Sequence, residues 1–202
     1  MTLDQFRDTA DRALEPFVAL ARRLGLTPNA VSVVSLLMAT AAGVAYALGG
    51  QYRLAYLVGA FCVFLNGWLD LIDGALAREL AVDSAAGDLL DHVIDRYADI
   101  VMIVGLSAGI GRYDLGLAAV TGVLMTSYLG TQAQAVGLDR VYGGIVGRAD
   151  RLAIIGLVSG VAAFVAPIVW NLGLVAWLLV FLAVVGHLTA VQRFYGAVVA
   201  LD

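Results

Sequence analysis

Residues 70–95 read "DLIDGALARELAVDSAAGDLLDHVID" and hold six aspartates, one glutamate, one arginine and one histidine. Asp70 and Asp73 are three apart, and Asp91 and Asp95 are four apart, so on helices each pair shares a face. Carboxylates gathered in this way repel one another, and in an apolar setting each bare charge costs at least a few kcal/mol. A bound cation is the natural compensation. All-oxygen ligation, with no nearby cysteine and a single histidine, His92, favours a hard ion such as Mg²⁺ or Mn²⁺ over zinc. Asp70, Asp73, Asp91 and Asp95 are enough for two ions, and a two-metal clamp suits transfer of a phosphoryl group between two oxygens. Glu79 and Asp83, in the connecting turn, read as solvated. Asp88 and Asp99 continue the stripe as packing groups or as supports behind the ligands, and His92 reads as a polar residue at a helix end.

The elements that must position these residues lie in an oily chain. Of 202 residues 61% are hydrophobic and 14% charged, and the mean hydropathy is +0.90. That balance lies far outside the range of a soluble domain and points to a membrane protein. The lone Cys62 excludes a disulfide framework and a cysteine-based metal site. The net charge is −4, every fixed positive charge is arginine, and lysine is absent. Such a composition suits a high-salt or GC-rich source, and no nucleic-acid partner is expected. "MTLDQFRDTADRALEPF" has no apolar stretch long enough for a secretion signal, so the mature chain is expected to begin near Met1.

Residues 3–24 place Leu3, Phe6, Ala10, Leu14, Phe17, Val18, Ala21 and Leu24 at helical spacing, with Asp4, Asp8, Arg12 and Arg22 mostly on other faces. This predicts an amphipathic helix in the membrane interface, with a kink at Pro16. "LTPNAVS" breaks the pattern, and Asn29 and Ser32 are candidates to cap the next helix. Residues 30–49 are uncharged and reach the roughly 20 needed to cross a bilayer. Further spans are expected at 53–76, 87–110, 114–136, 151–170 and 172–197. The fold class is therefore all-α and integral to the membrane: one domain over 1–202, with an interfacial helix in 1–26 and a six-helix bundle in 30–197. Gly105 with Gly109, and Gly156 with Gly160, are small-residue pairs suited to close helix packing. Arg7, Arg12, Arg22, Arg23, Arg78, Arg140, Arg148, Arg151 and Arg193 fall on one side, which the positive-inside rule makes cytoplasmic.

The pattern Asp70, two residues, Asp73-Gly74, two residues, Ala77-Arg78, eight residues, Gly87, three residues, Asp91, three residues, Asp95 resembles the signature of the CDP-alcohol phosphotransferase family at every fixed position. The interfacial helix, the "TPN" that opens span one and the six spans extend the resemblance over nearly the whole chain. The resemblance implies that Asp70, Asp73 and Asp91 ligate metal, and that Asp95 completes the site and is the general base on the acceptor hydroxyl. It implies that Asp70, Asp73, Gly74, Ala77, Arg78 and Gly87 form the site for the CDP moiety. The small residues would leave room for the nucleotide, and Arg78 would meet its diphosphate. The acceptor oxygen would attack the β-phosphorus and CMP would leave, on the cytoplasmic face of a homodimer. A carboxylate beside a metal stays ionised at neutral pH and is able to take that proton.

A second polar stretch, "SYLGTQAQAVGLDRVYGGIVGRADRLAII" at 127–155, resembles the phosphatidylinositol-phosphate synthase branch, where "SYxRARAE" and "ERADR" help to hold the acceptor's phosphate. Gly130 and Gln132 stand in place of arginines, Gln134 in place of glutamate, and Gly147 in place of the acid before Arg148. Arg148, Asp150 and Arg151 are retained. Gln132, Arg148 and Arg151 are thus the candidate acceptor contacts. Loss of two guanidinium forks weakens the grip on phosphate, so inositol phosphate, glycerol phosphate and an unphosphorylated alcohol such as serine all stay open. Near the end of span six, Arg193 is either an interface anchor or part of the acceptor pocket. The donor would be CDP-archaeol or CDP-diacylglycerol, and Mg²⁺ or Mn²⁺ the cofactor. The competing class is a divalent-cation transporter, since intramembrane carboxylates also mark ion paths. A transporter places its acids near the midplane on broken helices, whereas here they sit at one end of unbroken ones.

Overall fold

The computed structural model describes residues 7–82, 84–138 and 144–201, with side chains from Ala13 onward. Asp83 and Arg140 lie outside the described residues, as do the side chains of Arg7 and Arg12. The described chain is mostly helical. Its helices are α1 (Arg7–Arg23), α2 (Pro28–Leu48), α3 (Ala55–Leu80), α4 (Ala85–Gly109), α5 (Tyr113–Ala135), α6 (Arg148–Ala162) and α7 (Leu174–Leu201). Between α6 and α7 a two-residue hairpin pairs Ile168 with Gly173 and Val169 with Leu172. Trp170 and Asn171 turn it, both at positive φ, as a tight hairpin turn requires.

Five of the six apolar runs became helices within a few residues of the expected bounds. The exception is 151–170, where the helix stops at Ala162 and the remaining apolar residues run into the hairpin. α6 therefore has 15 residues, fewer than the roughly 20 that a bilayer crossing needs. α2, α3 and α7 are long and apolar enough to cross a membrane.

Six helices close a ring: α2 packs on α3, α3 on α6, α6 on α7, α7 on α5, α5 on α4, and α4 back on α2. α1 lies outside it against α3. Leu14, Val18 and Ala21 of α1 are buried with Val31, Ile72 and Leu76, while Phe17, Leu20 and Leu24 stay exposed. The helix continues through Pro16. Arg22 donates to Glu79 Oε1 at 2.6 Å, so Glu79, expected to be merely solvated, ties α1 to the end of α3.

At the start of α2 the cap differs from expectation. Thr27 Oγ1 accepts from the Ala30 amide at 3.2 Å, with Pro28 in the first turn, where a missing N–H does no harm. Ser32 is thereby released to serve elsewhere.

The α2–α4 contact depends on glycine. A Cβ on Gly105 would sit 2.2 Å from the Gly43 carbonyl oxygen, and one on Gly109 2.2 Å from the Tyr46 oxygen. Gly160 faces Ala60 at an ordinary 3.6 Å. Below this contact Tyr46, Met102, Ile103, Leu106, Ile155 and Leu179 fill the core, and the buried Tyr46 hydroxyl meets Ser159 Oγ at 2.8 Å. Gly105→Ala should force α2 and α4 apart and destabilise the protein by about 1–3 kcal/mol. Gly160→Ala should stay within about 0.5 kcal/mol of wild type. Thermal unfolding of both variants in detergent checks this, and equal midpoints would contradict it.

Candidate active site

Asp70 projects from α3 and Asp91 and Asp95 from α4, two helices that each pack against α2. Their carboxylate oxygens lie within 4.8 Å of one another. The turn between them is short: Ala81 ends α3 in the left-handed conformation, and Ser84 Oγ opens α4 by accepting from Gly87 N at 3.0 Å. Three acids of the signature thus converge where a divalent ion would be held by oxygen alone. Asp91 Oδ1 is buried with no hydrogen-bond partner. A buried carboxylate oxygen left without a donor is what a cation site leaves when the protein alone is considered, so the residues fit a hard metal ion.

Asp73 stands apart from this trio. It is 7% exposed, and its Oδ2 accepts from Ser32 Oγ at 2.8 Å. Ser32, read from sequence as a cap, instead fixes the rotamer of a signature acid.

Positive charge reaches the acids from α6. Arg148 donates through Nη1 to Asp70 Oδ2 at 2.6 Å, and its Nη2 lies 2.6 Å from Asp95 Oδ1. Arg151, one turn on, forks onto Asp99, with Nη2 at 2.6 Å and Nε at 3.4 Å. Arg151 and Asp99 are 5% and 1% exposed. Arg96 joins the two pairs: Nη1 donates to Ser127 Oγ, Nη2 to Asp95 Oδ2 at 3.3 Å, and Nε lies 4.0 Å from Asp99. Arg193 donates to the Thr126 carbonyl at 2.8 Å. At the start of α6, Asp150 Oδ2 accepts from the Gly147 amide at 3.1 Å.

Most of these groups line one cavity of about 1040 Å³, but Asp73 and Asp99 do not. Its polar end is formed by Asp70, Asp91, Asp95, Arg96, Arg148 and Arg193, and its apolar flank by residues such as Val63, Phe64, Gly67 and Leu157 of α3 and α6. Gly130, buried on α5, is among the residues that line it. Gly74, Ala77 and Arg78 continue the Asp70 face toward the end of α3, beyond the cavity. A Cβ on Gly74 would meet only Arg78 Nη1 at 3.5 Å, and one on Gly87 would sit 3.2 Å from Ser84 Oγ. Gln132 is half-buried on α5 and is not among the residues that line the cavity. His92 does line it, with Nδ1 2.7 Å from the Asp88 carbonyl.

The profile of the CDP-alcohol phosphatidyltransferase family matches residues 25–191. The chain belongs to that family. It is 33% identical over 193 residues to the archaetidylinositol phosphate synthase of Methanothermobacter thermautotrophicus, covering 95% of this chain and 91% of that one. It is also 33% identical to the phosphatidylinositol phosphate synthase of Mycobacterium marinum, covering 91% and 79%. The phosphatidylinositol phosphate synthase of Mycobacterium tuberculosis, solved with CDP-DAG bound, superimposes with a TM-score of 0.78 at 29% identity, over 92% of this chain and 94% of that one. The same protein solved with manganese and citrate gives 0.78 at 28% identity, over 91% and 88%. The chain is accordingly a transferase and not a cation transporter, and its apolar helices place it with the membrane enzymes of this family.

Arg96 escaped the sequence reading, although an arginine within an apolar span is itself a signal because of what it costs there. Arg151 and Asp99 supply a test of how this family member's interior is held. Removing one partner leaves a buried charge uncompensated, so Arg151→Met should destabilise by about 3–5 kcal/mol, and Asp99→Leu added to it should restore much of the loss. A double-mutant cycle on thermal unfolding in detergent measures this. Additive losses would show that the pair is not coupled.

Proposed function

We propose that this chain transfers a phosphatidyl or archaetidyl group from a CDP-linked lipid to inositol phosphate, with release of CMP. The observation that carries the reading is the cavity whose polar end joins a carboxylate trio to Arg96, Arg148 and Arg193, with Arg151 on the same wall. The acids suit a divalent ion that would offset the charge of the donor's diphosphate, and the guanidinium groups suit an acceptor that carries its own phosphate. The names of the relatives, archaetidylinositol phosphate synthase and phosphatidylinositol phosphate synthase, support the same acceptor. Gly130 and Gln132 removed two arginines from the expected pattern, and Arg96 and Arg193 bring two guanidinium groups to the cavity from other helices.

In this reading Asp70, Asp91 and Asp95, together with the neighbouring Asp73, would hold two Mg²⁺ or Mn²⁺ ions. When bound, the ions offset the charge of the diphosphate and of the leaving CMP. The chain's own residues do the rest. Gly74, Ala77 and Gly87 leave room for the CDP moiety along the ends of α3 and α4, and Arg78 meets its diphosphate. The apolar flank between α3 and α6 takes the first part of the lipid. Asp95 accepts the proton of the acceptor hydroxyl as that oxygen attacks the lipid-bearing β-phosphorus. The new P–O bond forms as the bond to CMP breaks, and Arg148 and Arg151 hold the acceptor's phosphate meanwhile.

The six helices of the ring span the bilayer, with α6 and the hairpin crossing as one unit, and α1 rests in the interface with Phe17, Leu20 and Leu24 toward lipid. By the positive-inside rule, Arg22, Arg23, Arg78, Arg148, Arg151 and Arg193 at one end support an active site facing the cytoplasm. A homodimer, implied by the family likeness, completes the assembly.

The test is CMP release from CDP-archaeol and from CDP-DAG with Mg²⁺ or Mn²⁺, using inositol phosphate, glycerol phosphate, free inositol and serine as acceptors. Inositol phosphate should support release that free inositol and serine do not, and Asp95→Asn should lower it about 10²–10⁴-fold. Release with serine or free inositol alone would move the acceptor assignment, and undiminished release from Asp95→Asn would remove the proposed base.

A further inference from the structure

The two carboxylates that Arg148 bridges are two that a metal would need. Arg148 Nη1 and Nη2 stand 2.6 Å from Asp70 Oδ2 and from Asp95 Oδ1. The other Asp95 oxygen accepts from Arg96 at 3.3 Å. Both Asp95 oxygens therefore face guanidinium nitrogens. A hard divalent ion held by Asp70, Asp91 and Asp95 would draw on the same Asp70 and Asp95 carboxylates that the Arg148 fork now contacts. Asp91 Oδ1, buried and without a hydrogen-bond partner, is open to receive it. Guanidinium and metal ion thus compete for the same negative charge.

From these contacts we infer that Arg148 is an exchangeable counterion: it neutralises the carboxylates in the metal-free protein, and metal binding drives it into the cavity, where it is free to take an anion. Its position allows the exchange. Arg148 is the first residue of α6, its side chain alone spans to α3 and α4, and the cavity it borders is about 1040 Å³. Arg151 and Arg193 lie on the same cavity wall, so a displaced Arg148 adds a third guanidinium where a phosphate would be gripped. Arg151 itself is held by Asp99 and does not exchange.

The consequence is coupling. By linkage, if metal drives Arg148 toward the anion, an anion that holds Arg148 must raise metal affinity by the same factor. An enzyme built this way forms a good acceptor site only once its metal is loaded. The inference depends on the metal-site reading given above, and the experiment separates the two.

Mn²⁺ binding to the purified full chain in detergent, without lipid substrate, is measured by the EPR signal of free Mn²⁺. Arg148→Gln should bind Mn²⁺ about 5-fold or more tightly than wild type, while Arg112→Gln, which removes an exposed pair with Asp114, should match wild type. Inorganic phosphate should tighten Mn²⁺ binding to wild type and have a smaller effect on Arg148→Gln. Because the variant loses its counterion, its unfolding midpoint should also rise more on Mn²⁺ addition. Equal or weaker Mn²⁺ binding by Arg148→Gln would overturn the exchange, as would an absence of phosphate coupling in wild type, which can be measured even if the variant does not fold. Failure of wild type to bind Mn²⁺ would overturn the metal-site reading and the exchange together. Binding that Asp91→Asn abolishes but Arg148→Gln does not tighten would overturn the exchange alone.

Discussion

Three carboxylates whose oxygens lie within 4.8 Å of one another, set in a bundle of apolar helices, are a severe electrostatic burden, and the surrounding structure is arranged around it. Like charges at that separation and in a low dielectric either protonate, move apart or gather cations. The described structure shows the third response. Arg148 bridges Asp70 and Asp95, Arg96 reaches Asp95 and Asp99, and Arg151 closes on Asp99. Fixed positive charge thus comes from α4 itself and from α6, and the same guanidinium groups border the cavity in which the proposed donor and acceptor would meet.

That arrangement depends on helix placement more than on local sequence. α2 is the common support: Gly43, Gly105 and Gly109 let α4 come within backbone contact of it, and Ser35 and Asn66 lock α3 to it through a buried exchange of hydrogen bonds at 2.7–3.1 Å. With α3 and α4 both fixed to α2, their carboxylate faces converge in front of it. α6 then closes the cavity from the far side of α3 and delivers Arg148 and Arg151. The charged first turn of α6 stands beside the acids, with Arg148 2.6 Å from Asp70 and from Asp95.

Much of this was legible in the residues. The apolar runs located α2, α3, α4, α5 and α7, because a membrane-length run of apolar side chains has few other solutions, and the three- and four-residue spacings placed the aspartates on common faces. The end of α6 was missed because "APIVWNLG" is nearly as apolar as the helix before it; Pro167 was the available break signal, and the hairpin around Trp170 and Asn171 follows it. The Arg148 bridge and the Arg151–Asp99 pair join positions 78 and 52 residues apart, and they depend on the rotation of α6 against α3 and α4, which no spacing within one helix encodes. Ser32 was misread for a related reason. Thr27 and Pro28 satisfy the helix start, and the hydroxyl of Ser32 is then worth more against a buried carboxylate than at a cap.

The central claim, that Asp70, Asp91 and Asp95 form a divalent-metal centre, is tested most directly by anomalous diffraction at the manganese edge from crystals of this protein grown with Mn²⁺. The account predicts at least one peak within about 2.5 Å of carboxylate oxygens of all three residues, with the Arg148 guanidinium withdrawn from between Asp70 and Asp95. Manganese bound elsewhere, or no peak at the trio with Arg148 still bridging it, would contradict the account.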